Sequence, residues 1–425
     1  MYQQVALIHT PCYEIASDRL EPPLGLLYLA TVLNLNGYPT TIVDLASVPE
    51  TDWVRAIPEA DVYGFDTFTP SYARSLQILR LARNINPAAL TLAGGPHASA
   101  LPGWVARDFD FVVVGEGEQR LVALLRALNA GERPEPIQYE MIVEDLDRLP
   151  FPDYRLVELA SYRRLVASQP SVGIISSRGC PYRCAFCTST IQAMDRRIRY
   201  RSPENFAAEV GQLRDRYGLR AFKIQDDVFT LSLKRIREIA GLLAPLGVVY
   251  RSNARVDLCA KPEMPELLFA SGCRHITFGV ESGSPRMLEH MGKRHTVDAV
   301  RLAIRLAKAA WLIVRANLMI GFPGETWETM QETIELMLDC QPHEYVVSAF
   351  VPYPGTDPYQ HPASYGIQAL ETDFSEYFLL RRDRGTSYTF HTADLNPQYI
   401  AEMRAHMIES LSPYMTWAGD SVGYS

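Results

Sequence analysis

Residues 173–187 read Gly-Ile-Ile-Ser-Ser-Arg-Gly-Cys-Pro-Tyr-Arg-Cys-Ala-Phe-Cys, and this stretch decides the architecture of the second half of the chain. Residues 173–177 form a run of strand length, and the loop after it sets Cys180, Cys184 and Cys187 at C-x3-C-x2-C spacing. A zinc site here needs a fourth nitrogen or sulfur ligand, for which Cys259, Cys273 and Cys340 are the candidates, whereas an iron–sulfur cube held by three thiolates keeps one iron open. Three unrelated buried thiols are the plainer alternative.

Downstream, apolar runs alternate with helical periods. Strands are predicted at 221–225, 248–253, 275–279, 312–320 and 345–350, with helices at 203–217, 233–246, 262–272, 297–310 and 327–340. Together with 173–177 these make six repeats, fewer than the eight that close a barrel, so an open, partial (β/α)6 barrel is expected over residues 166–365. In such a barrel the reacting groups lie at the C-terminal ends of the strands.

Upstream, residues 1–135 carry candidate strands at 5–10, 40–45, 61–66, 90–95 and 111–116, most of them continuous apolar runs of the kind buried on both faces of a parallel sheet. Helical segments follow them at 24–36, 52–59, 72–86, 98–107 and 118–129, which predicts a doubly wound, Rossmann-like α/β domain. Ligands of such sheets bind beyond the carboxyl ends of the strands. Those ends carry Thr67-Phe68-Thr69-Pro70-Ser71, Gly94-Gly95-Pro96-His97 and Gly115-Glu116-Gly117-Glu118. As a dinucleotide fingerprint the last segment fails: it follows the last strand rather than the first, and it sets two carboxylates where a pyrophosphate would sit. Residues 136–165, punctuated by Pro136, Pro150 and Pro152, read as a connector, and 366–425 as a short, aromatic, partly helical extension.

At 425 residues the chain exceeds one core. A net charge of -8 disfavours nucleic acid as a partner, and the absence of a long apolar run or secretory leader disfavours a membrane. Seven cysteines, three of them clustered, do not form the even framework of a secreted disulfide protein, so a cytoplasmic setting is expected. The basic run Arg196-Arg197-Ile198-Arg199-Tyr200-Arg201 is either a solvated loop or an anchor for a ligand carboxylate or phosphate.

The cysteine spacing, set within Ser176-Ser177-Arg178-Gly179-Cys180-Pro181, resembles that of radical S-adenosylmethionine (SAM) enzymes. The resemblance implies a 4Fe-4S cluster on Cys180, Cys184 and Cys187, whose open iron chelates SAM and whose electron releases a 5′-deoxyadenosyl radical. It also implies that the Phe186 backbone meets adenine and that Asp226 and Asp227 accept hydrogen bonds from the methionine ammonium. Arg255 would pair with the methionine carboxylate, Glu281 and Ser282 would address the ribose or amino acid part, and the turn beginning at Gly321 would line the adenosine pocket. Each has a structural alternative: a helix cap for the acids, an Arg255–Asp257 pair, a tight helix entry for the glycine turn.

A second resemblance rests on Pro22-Pro23-Leu24-Gly25-Leu26, on GGPH at 94–97 and on GEGE at 115–118. In this order, upstream of the cysteines, they are similar to the cobalamin-binding domain that precedes the radical core in one large branch of the superfamily. The implied cobalamin contacts are Thr67, Phe68, Thr69, Gly94, Gly95, Pro96, His97, Gly115, Glu116 and Glu118. No D-x-H-x-x-G motif is present, so the resemblance places a side chain of the 67–69 turn beneath the metal, and His97 reads as a turn residue rather than a cobalt ligand.

The branch implies a C-methyltransferase acting on a small-molecule, natural-product-like substrate. Methylcobalamin would supply the methyl group, one SAM would serve as oxidant and another would remethylate the corrinoid, with electrons from a flavodoxin- or ferredoxin-type donor. Branch members that dehydrate, oxidise or rearrange rings, or transfer an aminocarboxypropyl fragment, are the alternative. Substrate contacts are expected among Tyr353, Tyr365, Tyr377 and Tyr388.

Overall fold

The computed structural model describes residues 2–14, 17–189, 197–379 and 389–417. Six strands form the first sheet: β1 (Val5–His9), β2 (Thr40–Asp44), β3 (Val62–Asp66), β4 (Leu90–Gly94), β5 (Phe111–Val114) and β6 (Ile137–Tyr139). Their order is β2-β1-β3-β4-β5-β6, and every pair is parallel. Alternate residues serve opposite cores: Val5 and Leu7 pack with Leu33 and Leu125 of helices Leu24–Leu35 and Glu118–Asn129, while Ala6 and Ile8 pack with Ile78 and Ala82 of helix Tyr72–Ile85. Such two-sided burial is why these strands read as unbroken apolar runs. The strand order reverses between β1 and β3, so His9 and Asp66 stand at the mouth of the topological crevice. The segment read as a connector opens with β6, which prolongs this sheet by one strand.

The second sheet is built from β7 (Leu165–Val166), β8 (Gln169–Ile174), β11 (Ala221–Ile224), β12 (Val249–Ala254), β13 (Cys273–Glu281), β14 (Ile313–Ile320), β15 (Glu344–Ala349) and β18 (Thr416–Trp417). From β8 to β15 six parallel strands neighbour one another in chain order, the open partial barrel expected from sequence. Its first strand lies earlier than 173–177. The chain leaves the sheet after Ile174, and Ser177–Arg178 instead form β9, antiparallel to β10 (Arg199–Tyr200).

The outward residues of the barrel strands, among them Phe222, Tyr250, Phe278, Leu318 and Tyr345, are buried against the helices. Helix Pro203–Tyr217 shows how locally legible these helices are: Ser202 caps the Asn205 N–H, a proline opens the helix, and Gly218 ends it in the left-handed region. The tail adds a hairpin, β16 (Ile367–Leu370) with β17 (Phe390–Thr392), and helix Pro397–Leu411, after which β18 pairs in parallel with β15. The tail thus covers the open edge of the barrel. Among the described residues no helix is long and apolar enough to cross a membrane.

Candidate active site

The cysteine loop leaves the barrel after β8 and is tied down on several sides. Asp226 accepts hydrogen bonds from the Ser176 backbone N–H and from the Ser176 and Ser177 hydroxyls, each at 2.6 Å. Both its oxygens bond the base of the loop, so this candidate SAM ligand anchors Ser176 and Ser177. Asp227 accepts from Gly179 N–H at 3.2 Å, and burial raises its carboxyl above the usual range. On the far side, Ala185 N–H donates to Met291 O at 3.0 Å, and Gly292, at φ +69°, sits so close that a Cβ would meet Arg183 O at 2.8 Å. A groove of about 560 Å³, lined by Arg183, Gly292, Lys293 and His295 among others, runs beside the loop.

Cys180, Cys184 and Cys187 put three sulfur donors on one loop, the donor chemistry that a three-thiolate iron–sulfur cluster needs. The thiols of Cys180, Cys184 and Cys187 lie close enough to feel one another's charge, and Asp227 adds to the field. Burial, chiefly, pushes the Cys180 thiol up to about 11. Of the other barrel cysteines, Cys259 ends the short helix after β12 and Cys273 opens β13, both wholly buried, and Cys340 ends helix Trp327–Cys340.

Around the loop gather the groups that could hold an amino acid. Arg255, after β12, stacks its guanidinium on the ring of Tyr182 at 3.5 Å and bonds Asp257 through Nε at 3.0 Å, while its buried Nη2 has no partner. Such an orphaned donor suits a carboxylate. Lys293 bridges Glu281 at 3.0 Å and Gly279 O at 2.9 Å and lies 5.7 Å from the Phe186 ring. Glu281 is held at φ +66°, a conformation that costs a non-glycine residue about 1–2 kcal/mol. His295, not singled out by sequence reasoning, is buried here with Nε2 unpartnered; burial lowers it to about 4, so it is neutral.

Ser282 and Gly321 belong to the scaffold. Ser282 is buried and bonds Thr333 and the Ser284 N–H, and a Cβ on Gly321 would press on Ile400 of the tail helix at 2.9 Å. Of the tail tyrosines, Tyr353 donates to Tyr377 O, Tyr377 to Glu371 O and Tyr365 to Asp357, so their hydroxyls serve the protein; Tyr388 lies outside the described residues.

In the N-terminal domain the GGPH turn is built on Thr67, which is fully buried. Its N–H and hydroxyl both donate to Gly94 O at 2.8 Å, and its carbonyl accepts from His97 N–H. Gly95 takes φ +93°, and a Cβ there would crowd the Thr67 backbone at 3.1 Å. Pro96 opens the short helix that follows. His97 bonds the Thr69 hydroxyl through Nδ1 and is sandwiched by Tyr72 and the tail residue Phe374; burial lowers it to about 4, and its Nε2 lacks a partner. Thr67 and Thr69 thus both turn inward, leaving half-buried Phe68 as the third residue of that turn.

The GEGE segment faces the other domain. Glu118 holds Arg178 at 2.6 Å, Glu116 binds Arg199 and reaches Arg178 at 3.4 Å, and a Cβ on Gly115 would collide with Glu140. These carboxylates, candidates for cobalamin contact on sequence, are occupied by arginines on either side of the cysteine loop. Sequence reasoning also passed over His9, at the end of β1, which bonds Asp66 at 2.5 Å.

A three-thiol loop on an open barrel, fastened to a doubly wound domain, defines a radical SAM enzyme with a corrinoid-binding module. Residues 174–337 match the Radical SAM superfamily and residues 16–125 the B12 binding domain, and the chain belongs to this superfamily. It is 30% identical over 364 residues to the uncharacterized methyltransferase PH0819 of Pyrococcus horikoshii, covering 79% of this chain and 77% of that protein. It is 26% identical over 399 residues to the anaerobic magnesium-protoporphyrin IX monomethyl ester cyclase of Rubrivivax gelatinosus, covering 87% and 70%. Among solved structures, the radical SAM methyltransferase TsrM of Kitasatospora setae, described with cobalamin and a 4Fe-4S cluster, shares the fold with a TM-score of 0.74 at 17% identity, covering 98% of this chain and 89% of that one.

Proposed function

We propose that the protein is a cobalamin-dependent radical SAM methyltransferase that places a methyl group on a carbon of a small-molecule substrate. The observation that carries this reading is the fastening of the B12-binding domain to the cysteine loop itself, through Arg178, Glu118 and Glu116, which supports a corrinoid of that domain acting together with the loop. When bound, the cluster supplies the electron that cleaves the SAM sulfonium, and cobalamin supplies the methyl group.

The protein's own groups do the holding. Cys180, Cys184 and Cys187 would ligate the cluster, Arg255 would offer its free Nη2 to the methionine carboxylate, and Asp227 would stand beside the ammonium. Asp226, Ser282, Glu116 and Glu118 act as positioning residues for these groups. In the other domain, Gly94, Gly95 and Phe68 would form the cobalamin-facing surface, with Thr67 and His97 shaping it from beneath. Electrons would come from a flavodoxin- or ferredoxin-type donor, for which the groove beside Arg183 is an approach to the loop. Seven free cysteines support work in a reducing compartment.

Likeness to the ring-forming cyclase favours a second reading, in which the same radical start ends without methyl transfer. Anaerobic reconstitution with iron, sulfide and hydroxocobalamin separates the two. Retained corrinoid absorbance together with 5′-deoxyadenosine formation supports methyl transfer; cluster absorbance and deoxyadenosine without corrinoid support the second reading.

A further inference from the structure

The inward face of the barrel is polar where a closed barrel would stack valine, isoleucine and leucine. Strand alternation sends Lys223, Arg251, His275, Arg315 and Glu344 into the lumen, opposite the apolar residues that face the helices. A Cβ on Gly173 would collide with Gln225 and meet Glu21 at 3.0 Å, so these side chains fill the lumen from the β8 side. Glu21, from the loop before the first helix, pairs with Arg164 at 2.6 Å and Lys223 at 3.2 Å; Glu344 pairs with Arg315 at 2.6 Å and His275 at 2.9 Å. Among the described residues, Arg164 and Lys223 thus converge on one carboxylate, and Arg315 and His275 on the other.

Arg251 is the member least provided for. Among the described residues its side-chain hydrogen bond goes from Nη2 to the Thr277 hydroxyl at 3.3 Å, and its charged neighbours include Arg315, Arg164, Lys223, Glu21 and Glu344. Burial, with the two arginines, pushes its guanidinium down to about 9, far below the usual arginine range. His275 keeps Nδ1 buried and unpartnered in the same layer. Burying a guanidinium as poorly partnered as that of Arg251 is costly unless an anion accompanies it. On β12, Arg251 lies four residues before Arg255, about 13 Å along the strand beneath the candidate SAM site.

We propose that this layer is an oxyanion site in the barrel lumen, with Arg251 at its centre and Arg315 and Lys223 beside it, and that it receives a carboxylate or phosphoryl group of the substrate. The proposal rests on the methyltransferase reading, because β12 leads from Arg251 to Arg255, which stacks on Tyr182 of the cysteine loop. It defines the substrate class: an elongated acid whose anionic end is buried in the barrel while its other end meets SAM. Arginine suits this role, since its planar fork matches an oxyanion with two parallel hydrogen bonds.

The test uses the full-length, cluster- and corrinoid-loaded protein under anaerobic conditions, titrated calorimetrically with inorganic phosphate and, separately, acetate at constant ionic strength. Saturable binding of one anion per chain is expected, weakened about tenfold or more in Arg251→Gln. Tighter phosphate binding assigns a phosphoryl group and tighter acetate binding a carboxylate. No saturable binding, or equal binding by the wild type and Arg251→Gln, overturns the proposal and marks an adventitious ion only. If circular dichroism shows Arg251→Gln unfolded, Lys223→Gln and Thr277→Val bear the same comparison. Loss of cluster or corrinoid absorbance with anion binding intact would instead overturn the functional reading and leave the oxyanion site standing.

Discussion

Arg178, two residues before the first cluster cysteine, is held by Glu118 of the N-terminal domain at 2.6 Å, with the Tyr28 ring beneath its guanidinium. The pair is mostly buried, so removing one partner leaves the other charge stranded. Glu118→Ala is expected to destabilise the protein by roughly 2–3 kcal/mol, because Glu116 remains to share Arg178. Equilibrium urea unfolding measures this, and the ratio of methylated product to cleaved SAM should fall as the domains loosen. An unchanged ratio would remove the positioning role.

Gly292 is the wall against which the cysteine loop packs. Gly292→Ala adds a Cβ against Arg183 O in a backbone region that alanine enters at about 1–2 kcal/mol. Iron content after reconstitution should drop severalfold while corrinoid binding persists. Equal loss of both would show a global defect.

His9 is largely sequestered, and burial alone would lower it; the charge and hydrogen bond of Asp66, with Asp44 and Asp18 nearby, overcome this and raise it to about 9. A raised histidine adds stability that is fully present below its unfolded value near 6.5 and lost as pH climbs through about 9. Ring NMR signals of selectively labelled histidine should show His9 protonated at pH 8 in the wild type, whereas in Asp66→Asn it should titrate near or below 6.5. A wild-type midpoint near 6.5 would contradict the pairing.

Glu325, in the turn after β14, is pushed up to about 8 by burial; it accepts from Gly321 N–H and leaves Oε1 unpartnered. Between pH 4.5 and 8 the folded protein therefore keeps a proton that the unfolded chain releases, and stability declines as pH rises across that window. Glu325→Gln mimics the protonated acid. Its melting temperature should fall less between pH 5 and 8 than that of the wild type; parallel profiles would disprove the buried acid.

Much of this was legible in the sequence, for local reasons. The unbroken run at Val5–His9 and the Ser202, Pro203 and Gly218 signals around one helix are self-contained, so strands and helices could be placed within a few residues. The spacing of the cysteine loop left zinc and iron–sulfur open, and its chemistry was legible through the resemblance of residues 176–187 to radical SAM enzymes. What stayed hidden depends on partners distant in the chain: Asp226 is spent on serines 50 residues away, and Glu118 meets an arginine 60 residues on. The short β6 and β18 also escaped, because two or three residues carry no period. His9 and Arg251 gave no motif, their meaning arising only when β1 meets β3 and when the barrel curls its strands inward.

The central claim is a three-thiolate cluster that leaves one iron for SAM beside Arg255. Electron paramagnetic resonance of the reduced, reconstituted protein with and without SAM tests it most directly. The account predicts a 4Fe-4S signal whose g-values shift when SAM is added, with the shift weakened in Arg255→Gln and the signal lost in Cys184→Ala. Stoichiometric zinc in place of iron, or a cluster spectrum indifferent to SAM, would contradict it.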